Sequence, residues 1–145
     1  MENDAPTHAV LSLKIRNEAN AISLANEQAE AWLRVNAASE TLILFANLAI
    51  EELVTNSLKY GYDDDGEHTV DVTLYFAERA LSLIFIDDGK PFDPLTAPVP
   101  DLSLELEDRP IGGLGIYMLQ EMADSMRYAR QDGLNHVTLI KSDPR

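Results

Sequence analysis

The chain has 145 residues, of which 25 are acidic and 11 are Lys or Arg, so its formal net charge is −14. This length suits one domain with a real hydrophobic core, and a hydrophobic content of 46% excludes a disordered acidic tail. The charge argues against nucleic acid or an anionic membrane as a partner, and the lack of cysteine excludes disulfides and Cys-ligated zinc. No apolar run is expected to reach the roughly 18 residues of a membrane helix, and the acidic start does not resemble a signal peptide, so we expect a cytoplasmic protein.

The first half of the chain predicts one strand and two helices. Residues 1–7 are expected to form a loose N-terminus, and the alternation of residues 8–15 predicts a strand. Apolar residues at helical spacing predict an amphipathic helix over residues 18–35. Ser39 is a candidate N-cap for a second helix over residues 40–60, which the acidic turn after Gly61 ends.

The second half predicts four strands and one helix around a long irregular segment. Strands are expected over residues 70–76 and 81–86, the second apolar enough to be central in a sheet. Residues 87–109 contain four prolines and no periodicity, which is typical of a lid or of disorder. A helix over 113–125 and strands over 126–130 and 136–141 complete an α+β domain, a two-layer sandwich with helices on one face of a mostly antiparallel sheet.

A carboxylate and a carboxamide share one face of the second helix. Glu52 and Asn56 are four residues apart, on a stripe whose earlier members are apolar. Buried polar groups need partners, and an oxygen-preferring cation such as Mg²⁺ would supply one, while a carboxylate one turn away could deprotonate a hydroxyl. The alternative is that this face emerges at the edge of the domain and that both groups are merely solvated.

Two further segments have polar or glycine-rich patterns that suit a nucleotide. Asp87 and Gly89 follow the central strand, where the carboxylate could accept an exocyclic amine and the glycine could let a base approach; a simple turn is the alternative. Gly113 and Gly115 open a helix, where free backbone N–H groups form a usual anion site. The alternative for this pair is a flexible entry to the helix.

The order and spacing of these three segments resembles the GHKL ATPase superfamily, which includes the gyrase, histidine-kinase and MutL ATP-binding domains. Within it, residues 8–142 look most like the small anti-sigma-factor serine/threonine kinases of bacterial partner-switching systems. The resemblance implies a Bergerat ATP-binding fold, a single histidine-kinase-like ATPase domain over residues 1–145 and an ATP lid over residues 93–111. It implies ATP and Mg²⁺ as ligands.

The resemblance also implies roles for individual residues. Asn56 would hold Mg²⁺ and Glu52 would be the general base, while Asp87 would bind the adenine amino group beside Gly89. Gly113 and Gly115 would cradle the phosphates. Two more residues are assigned to the region before the last helix: Gly112 as a hinge, and Arg109 as a lid residue that reaches the γ-phosphate.

The sequence departs from the family pattern at several places, among them Pro91, where relatives often have Gly. The string from Asn56 to Tyr60 matches the Asn-x-x-Lys-Tyr of histidine kinases, in which the Lys, here Lys59, meets a phosphate; no phosphoacceptor His in a dimerisation helix accompanies it. The usual Gly-Thr near the last strand is replaced by residues 133–136, so an adenine contact there is in doubt.

The implied function is that of a kinase that phosphorylates an anti-sigma-factor antagonist and sequesters a sigma factor, as a homodimer. The alternatives are a nucleotide-gated binding module without catalysis, and a partner-switch kinase whose target is not a sigma factor. Residues 87–108 contain seven acids against Lys90 alone. This charge predicts that nucleotide affinity depends on the metal, and it suits either a cationic protein partner or a merely solvated lid.

Overall fold

The computed structural model describes residues 8–96, 103 and 113–144. Its five strands form one sheet in the order β1-β2-β3-β5-β4, in which every neighbouring pair is antiparallel. The strands are β1 (His8–Arg16), β2 (Thr69–Ala77), β3 (Ala80–Asp87), β4 (Ser125–Gln131) and β5 (Leu134–Ser142). The predicted α+β class is confirmed, and β3 is the central strand, as its apolar sequence indicated.

The helices are α1 (Ala21–Val35), α2 (Glu40–Ala49), α3 (Thr55–Tyr60) and α4 (Gly113–Met122), with a short 3-10 turn at Pro94–Thr96. Ser39 caps α2 as predicted, since its hydroxyl accepts a hydrogen bond from the Leu42 amide at 3.2 Å. The predicted helix over 40–60 is continuous, but a π-helical turn at Ile50–Val54 separates α2 from α3. Such turns often occur at functional sites.

Two predicted helix boundaries are wrong. The first helix was expected from residue 18, but Asn20 has a left-handed φ of 68° and α1 begins after it. The last was expected to reach residue 125, but α4 ends at Met122 and Ser125 already belongs to β4. Periodicity marks where a helix can continue, whereas a single left-handed residue or the start of strand pairing decides where it ends.

The core lies between one face of the sheet and the helices. Burial alternates strictly along β2 and β3, and α1 contributes a buried stripe four residues apart at Ala25, Ala29 and Leu33. The inward set of β3 is Leu81, Leu83, Phe85 and Asp87. Asp87, the last of these residues, therefore places a carboxylate on the same face of the sheet as the core residues. The candidate site lies around this carboxylate.

One described helical run passes the length and composition test for a membrane span. It covers Glu40–Tyr60, 21 residues, and half of its most apolar window is buried inside the protein. In this fold the run packs on the sheet through residues such as Phe45, Ala49 and Val54, none of which is exposed. The expectation that no run reaches membrane length was thus too strict, and burial identifies the run as a core helix.

A half-buried ion pair joins the β2–β3 turn to Asp143, directly after β5. The Asp143 side chain is fully buried, and its Oδ2 lies 2.5 Å from a guanidinium nitrogen of Arg79 and accepts a bond from the Ser39 amide at 3.1 Å. Replacing Asp143 by Ala should lower the free energy of unfolding by about 2–3 kcal/mol, because the partly buried Arg79 guanidinium and Ser39 amide lose their acceptor. Urea unfolding measures this.

The matched control for that prediction is the exposed pair between Lys14 and Asp71, whose side chains are 78% and 49% exposed. Asp71→Ala should change the free energy of unfolding by less than about 1 kcal/mol, since solvent screens exposed ion pairs. Equal losses in the two variants would contradict the role given to Asp143.

Candidate functional site

A pocket of about 200 Å³ opens between α3, the end of the π turn and the ends of β3 and β5. Its polar lining includes Asn56, Ser57, Asp87 and Asn135. Apolar and aromatic side chains make up most of the rest, namely Leu53, Tyr60, Phe85, Pro91, Phe92, Pro94 and Val137. Apolar walls with a few convergent polar groups are usual for a site that holds a flat organic ligand.

The carboxylate of Asp87 lies in this pocket with three protein donors. Its Oδ1 accepts from the Gly89 amide at 2.8 Å and from the Asn135 side-chain amide at 2.9 Å, and its Oδ2 accepts from the Ser57 hydroxyl at 2.9 Å. A carboxylate has about four acceptor positions. No other donor among the described residues fills the fourth position, on Oδ2, so this position can accept a bond from a ligand N–H.

Asn135 stands directly opposite Asp87 in the register of β3 and β5. It belongs to the inward set of β5, with Val137 and Leu139, and is only 4% exposed. Besides Asp87, its side-chain amide donates to the Lys90 carbonyl at 2.9 Å. The segment that replaces the usual Gly-Thr thus supplies a polar contact to Asp87, through a carboxamide.

Two glycines let the chain after β3 lie against the end of α3. The Lys90 amide donates to the Gly61 carbonyl at 2.8 Å. A Cβ on Gly89 would come within 3.0 Å of that carbonyl oxygen and 3.1 Å of the Gly61 Cα. A larger residue at Gly89 would be tight where the two backbones meet. A base contact was predicted for Gly89, but the described pocket lining does not include it.

Ion pairs and hydrogen bonds hold the rim of the pocket. Lys90 Nζ lies 2.7 Å from Asp63, and the Arg130 guanidinium donates to the Gly89 carbonyl at 2.7 Å. The Tyr62 hydroxyl donates to Asp88 at 2.6 Å. Burial and this acceptor raise the pKa of Tyr62, so it remains a neutral donor.

The carboxylate of Glu52 lies next to the start of α4. A Cβ added to Gly115 would overlap the Glu52 carboxylate, so glycine is required for this contact. Partial burial, and second the neighbouring Glu51 carboxylate, raise the pKa of Glu52 above its usual value. A carboxylate with a raised pKa is suited to accept a proton near neutral pH.

The structure thus brings the three predicted segments into two contacts. Asn56 and Asp87 line one pocket, and Glu52, one helical turn before Asn56, meets Gly115. Gly113 is the first residue of α4, as predicted. Lys59 is exposed, with its Nζ 5.5 Å from the centre of the Tyr60 ring, and does not line the pocket. Arg109 and Gly112 lie outside the described residues.

Sequence reasoning missed Ser57, Tyr128 and Asn135. Alternation along β5 could have shown that Asn135 points inward with Val137 and Leu139. Its position opposite Asp87 depends on the register of two strands that are far apart in sequence. No motif pointed to Ser57 or Tyr128.

Comparison with known proteins identifies the family. The profile described as "Histidine kinase-like ATPase domain" matches residues 15–141. The chain belongs to this family. Membership of an ATPase domain family implies that the chain binds ATP.

Two curated relatives of this histidine kinase-like ATPase domain are protein kinases. The chain is 32% identical to the serine/threonine-protein kinase BtrW of Bordetella bronchiseptica over 99 residues, which is 68% of this chain and 67% of BtrW. It is 30% identical to the serine-protein kinase RsbW of Listeria monocytogenes over 96 residues, 62% of this chain and 60% of RsbW. The matches thus span about two thirds or less of each relative.

A solved structure shares the fold of this histidine kinase-like domain. The crystal structure of the RsbU and RsbW domains of Rv1364c from Mycobacterium tuberculosis aligns with a TM-score of 0.67 at 22% identity. The alignment covers 97% of this chain and 34% of that chain. The described residues therefore have the architecture of a domain found within a larger protein.

Proposed function

We propose that this protein is an ATP-dependent serine/threonine kinase of a bacterial partner switch, which phosphorylates an anti-sigma-factor antagonist and binds a sigma factor. The observation that carries the proposal is the half-buried Glu52 carboxylate against Gly115 at the start of α4, one turn from Asn56. A domain that only binds a nucleotide has no need of a proton acceptor there. The names of two relatives, both protein kinases, support the same activity.

In this proposal Glu52 is the general base. Its carboxylate accepts the proton of a seryl or threonyl hydroxyl on the protein substrate as that oxygen attacks the γ-phosphate. The backbone amides at the start of α4, at Gly113 and Gly115, favour the phosphate charge. Arg109 would add positive charge near the γ-phosphate, and Gly112 would allow the preceding segment to move.

Asp87 is the proposed base-recognition residue. Its one available acceptor position suits the 6-amino group of adenine, whereas guanine presents a carbonyl oxygen at the equivalent position. The apolar walls from Phe85, Phe92 and Val137 suit the faces of a purine. The pocket is smaller than the roughly 300–1,000 Å³ of sites that hold whole drug-sized ligands, so it is fitted to the base.

Asn56 is the proposed Mg²⁺ ligand. Among the described residues no three His, Cys, Asp or Glu side chains cluster as a metal cage. A single side-chain oxygen from Asn56 fits Mg²⁺ that arrives with ATP, since Mg²⁺ uses one or two protein oxygens together with phosphate oxygens and water. The ion would neutralise phosphate charge, and Lys59, beside the site on α3, is a candidate for an additional phosphate contact.

The partner predictions follow from charge and relatives. A net charge of −14 favours a cationic face on the sigma factor or the antagonist. Phosphorylation adds about −1.5 to −2 charge to the antagonist, which would weaken its binding to an acidic kinase. We further propose that the protein is a homodimer and acts in the cytoplasm. Most of the acidic residues of the proposed lid lie outside the described part of the chain.

The test is phosphate transfer from radiolabelled ATP to the cognate antagonist, with and without Mg²⁺. We expect one seryl or threonyl residue of the antagonist to be labelled, and the sigma factor to bind only when the antagonist is phosphorylated. ATP binding without transfer would favour a nucleotide-gated binding module. Transfer to a protein that has no link to a sigma factor would favour a partner switch with another target.

The raised pKa of Glu52 predicts the pH dependence of this transfer. A base must be ionised, so the rate should fall as the pH drops through the pKa of Glu52. The negative charge of Glu51 raises the pKa of Glu52. Because Glu51→Gln removes that charge, the substitution stabilises ionised Glu52 and lowers its pKa. The acid limb of the kcat/KM profile should therefore move to lower pH; a shift in the opposite direction would contradict the base assignment.

A further inference from the structure

A chain of three polar side chains runs from the edge strand β4 to Asp87. The Tyr128 hydroxyl donates to the Asn135 side-chain oxygen at 2.6 Å, and the Asn135 amide nitrogen donates to Asp87 at 2.9 Å. Tyr128 is half-buried, while Asp87 and Asn135 are buried. Buried polar groups in such a chain fix each other's orientation, because each has few other partners.

The contacts allow only one orientation of the Asn135 carboxamide. Its nitrogen faces three groups that can only accept, the Asp87 carboxylate and the carbonyls of Gly89 and Lys90. Its oxygen faces two donors, the Tyr128 hydroxyl at 2.6 Å and the Phe92 amide at 3.4 Å. A flipped amide would place its oxygen against these three acceptors and its nitrogen against the Phe92 N–H. Only the Tyr128 hydroxyl, which can also accept, could keep a bond.

The orientation of Asn135 decides which part of Asp87 meets a ligand. Asn135 and the Gly89 amide together occupy Oδ1, and the Ser57 hydroxyl occupies one position of Oδ2. Without the Asn135 donor, the carboxylate could rotate and present Oδ1 to the pocket. The Asn135 carboxamide therefore leaves one acceptor position of Asp87, on Oδ2, facing the ligand.

We propose that Asn135, held by Tyr128, is a positioning residue that aims the Asp87 carboxylate at the amino group of a 6-aminopurine nucleotide. The inference rests on the proposed base-binding role of Asp87. It does not need phosphate transfer, because affinity for a nucleotide is measured without a protein substrate. Loss of kinase activity and failure of this inference are therefore distinguishable.

Asn135→Asp is the decisive variant because it makes the donor depend on a proton. Below the pKa of the resulting carboxyl pair, one shared proton keeps a donor between residues 135 and 87; above it, two carboxylates repel each other. The side-chain amide of wild-type Asn135 does not titrate, so its donor is present at every pH of the experiment. In the part of the chain that the structure describes, the other ionisable groups around the pair are Tyr62, Asp88, Lys90, Tyr128 and Arg130, and all are the same in both proteins.

Calorimetric titration with Mg·ATP from pH 5.5 to 8.5 gives the ratio of the Asn135→Asp to the wild-type Kd. We expect this ratio to exceed about 10 at the alkaline end and to fall several-fold toward the acid end. A ratio that does not change with pH, whatever its size, would overturn the inference, since general damage to the fold has no reason to follow this proton.

Tyr128→Phe provides the second variant and leaves the pocket lining intact. Loss of the hydroxyl removes the shorter of the two bonds to the Asn135 side-chain oxygen and loosens the carboxamide, so we expect Kd for Mg·ATP to rise about threefold to tenfold and the preference for ATP over GTP to fall. Tyr75→Phe, an exposed tyrosine on β2, is the matched control and should change neither. Equal results for the two tyrosine variants would overturn the role of Tyr128.

Discussion

Replacing Glu52 by Gln is expected to lower the rate of phosphate transfer about 100-fold or more while Kd for Mg·ATP changes less than about threefold. The size follows from the usual contribution of a positioned general base, about 10²–10⁴ in rate. Gln keeps the shape of the side chain and its contact with Gly115 but cannot accept a proton from a hydroxyl. Single-turnover transfer and equilibrium binding of ATP separate the two effects.

The matched control is Glu51→Gln, which removes the neighbouring carboxylate. Glu51 is exposed, and its removal should leave the maximal transfer rate within about twofold while moving only the pH profile. Equal loss of rate in Glu51→Gln and Glu52→Gln would contradict the assignment of the base to Glu52. Retention of transfer in Glu52→Gln would have the same consequence.

Gly115→Ala tests the position of Glu52 without changing its chemistry. The new Cβ would overlap the carboxylate and must displace it, which a flexible glutamate side chain can do at little cost to the fold. We therefore expect a folded variant with slow transfer. Since α4 begins two residues earlier at Gly113, part of any loss in ATP affinity would report on the phosphate amides instead.

The second large effect is expected for Asp87→Asn, which should weaken Mg·ATP binding about 100-fold. The substitution places a donor group where the Gly89 amide, the Asn135 amide and the Ser57 hydroxyl all donate, so at least one buried donor loses its partner. It also removes the charge that attracts the base amino group. Calorimetric titration of ATP and GTP measures both affinity and discrimination.

Asp88→Asn is the neighbouring control for that prediction. Asp88 follows directly in sequence, but it is exposed and bonds to Tyr62 at the rim. It should leave Kd for ATP within about twofold. If Asp87→Asn bound ATP as tightly as Asp88→Asn does, the base would have to be recognised elsewhere in the pocket.

Local sequence patterns were sufficient for the main elements of this fold. Strand alternation and helical stripes are set by which residues can be buried, so β2, β3 and the buried helical run were predictable from period alone. The β2–β3 turn at Glu78 and Arg79, with left-handed φ values of 52° and 61°, lies within residues 77–80, the four residues that the predicted strands left between them. Helix ends were less predictable because single residues such as Asn20 decide them.

In the candidate site, too, local features were predictable from the sequence and contacts between distant residues were not. The spacing of Glu52 and Asn56 and the position of Asp87 after a central strand are local features, and both predicted polar positions that the fold then brings together. The π turn that contains Glu52 was not predictable, since its residues are as helical in preference as their neighbours.

What the sequence by itself determined about this protein is a set of local periods and three polar segments, with their order along the chain. Only the tertiary structure decided which residues meet: Glu52 with Gly115, and Asp87 with Ser57 and Asn135. The physical reason is that strand register and helix packing are set by the summed burial of the whole core. Asp87 and Asn135 are 48 positions apart, and they meet because packing of the whole core sets the register of β3 and β5. Such a contact leaves no pattern in the local sequence.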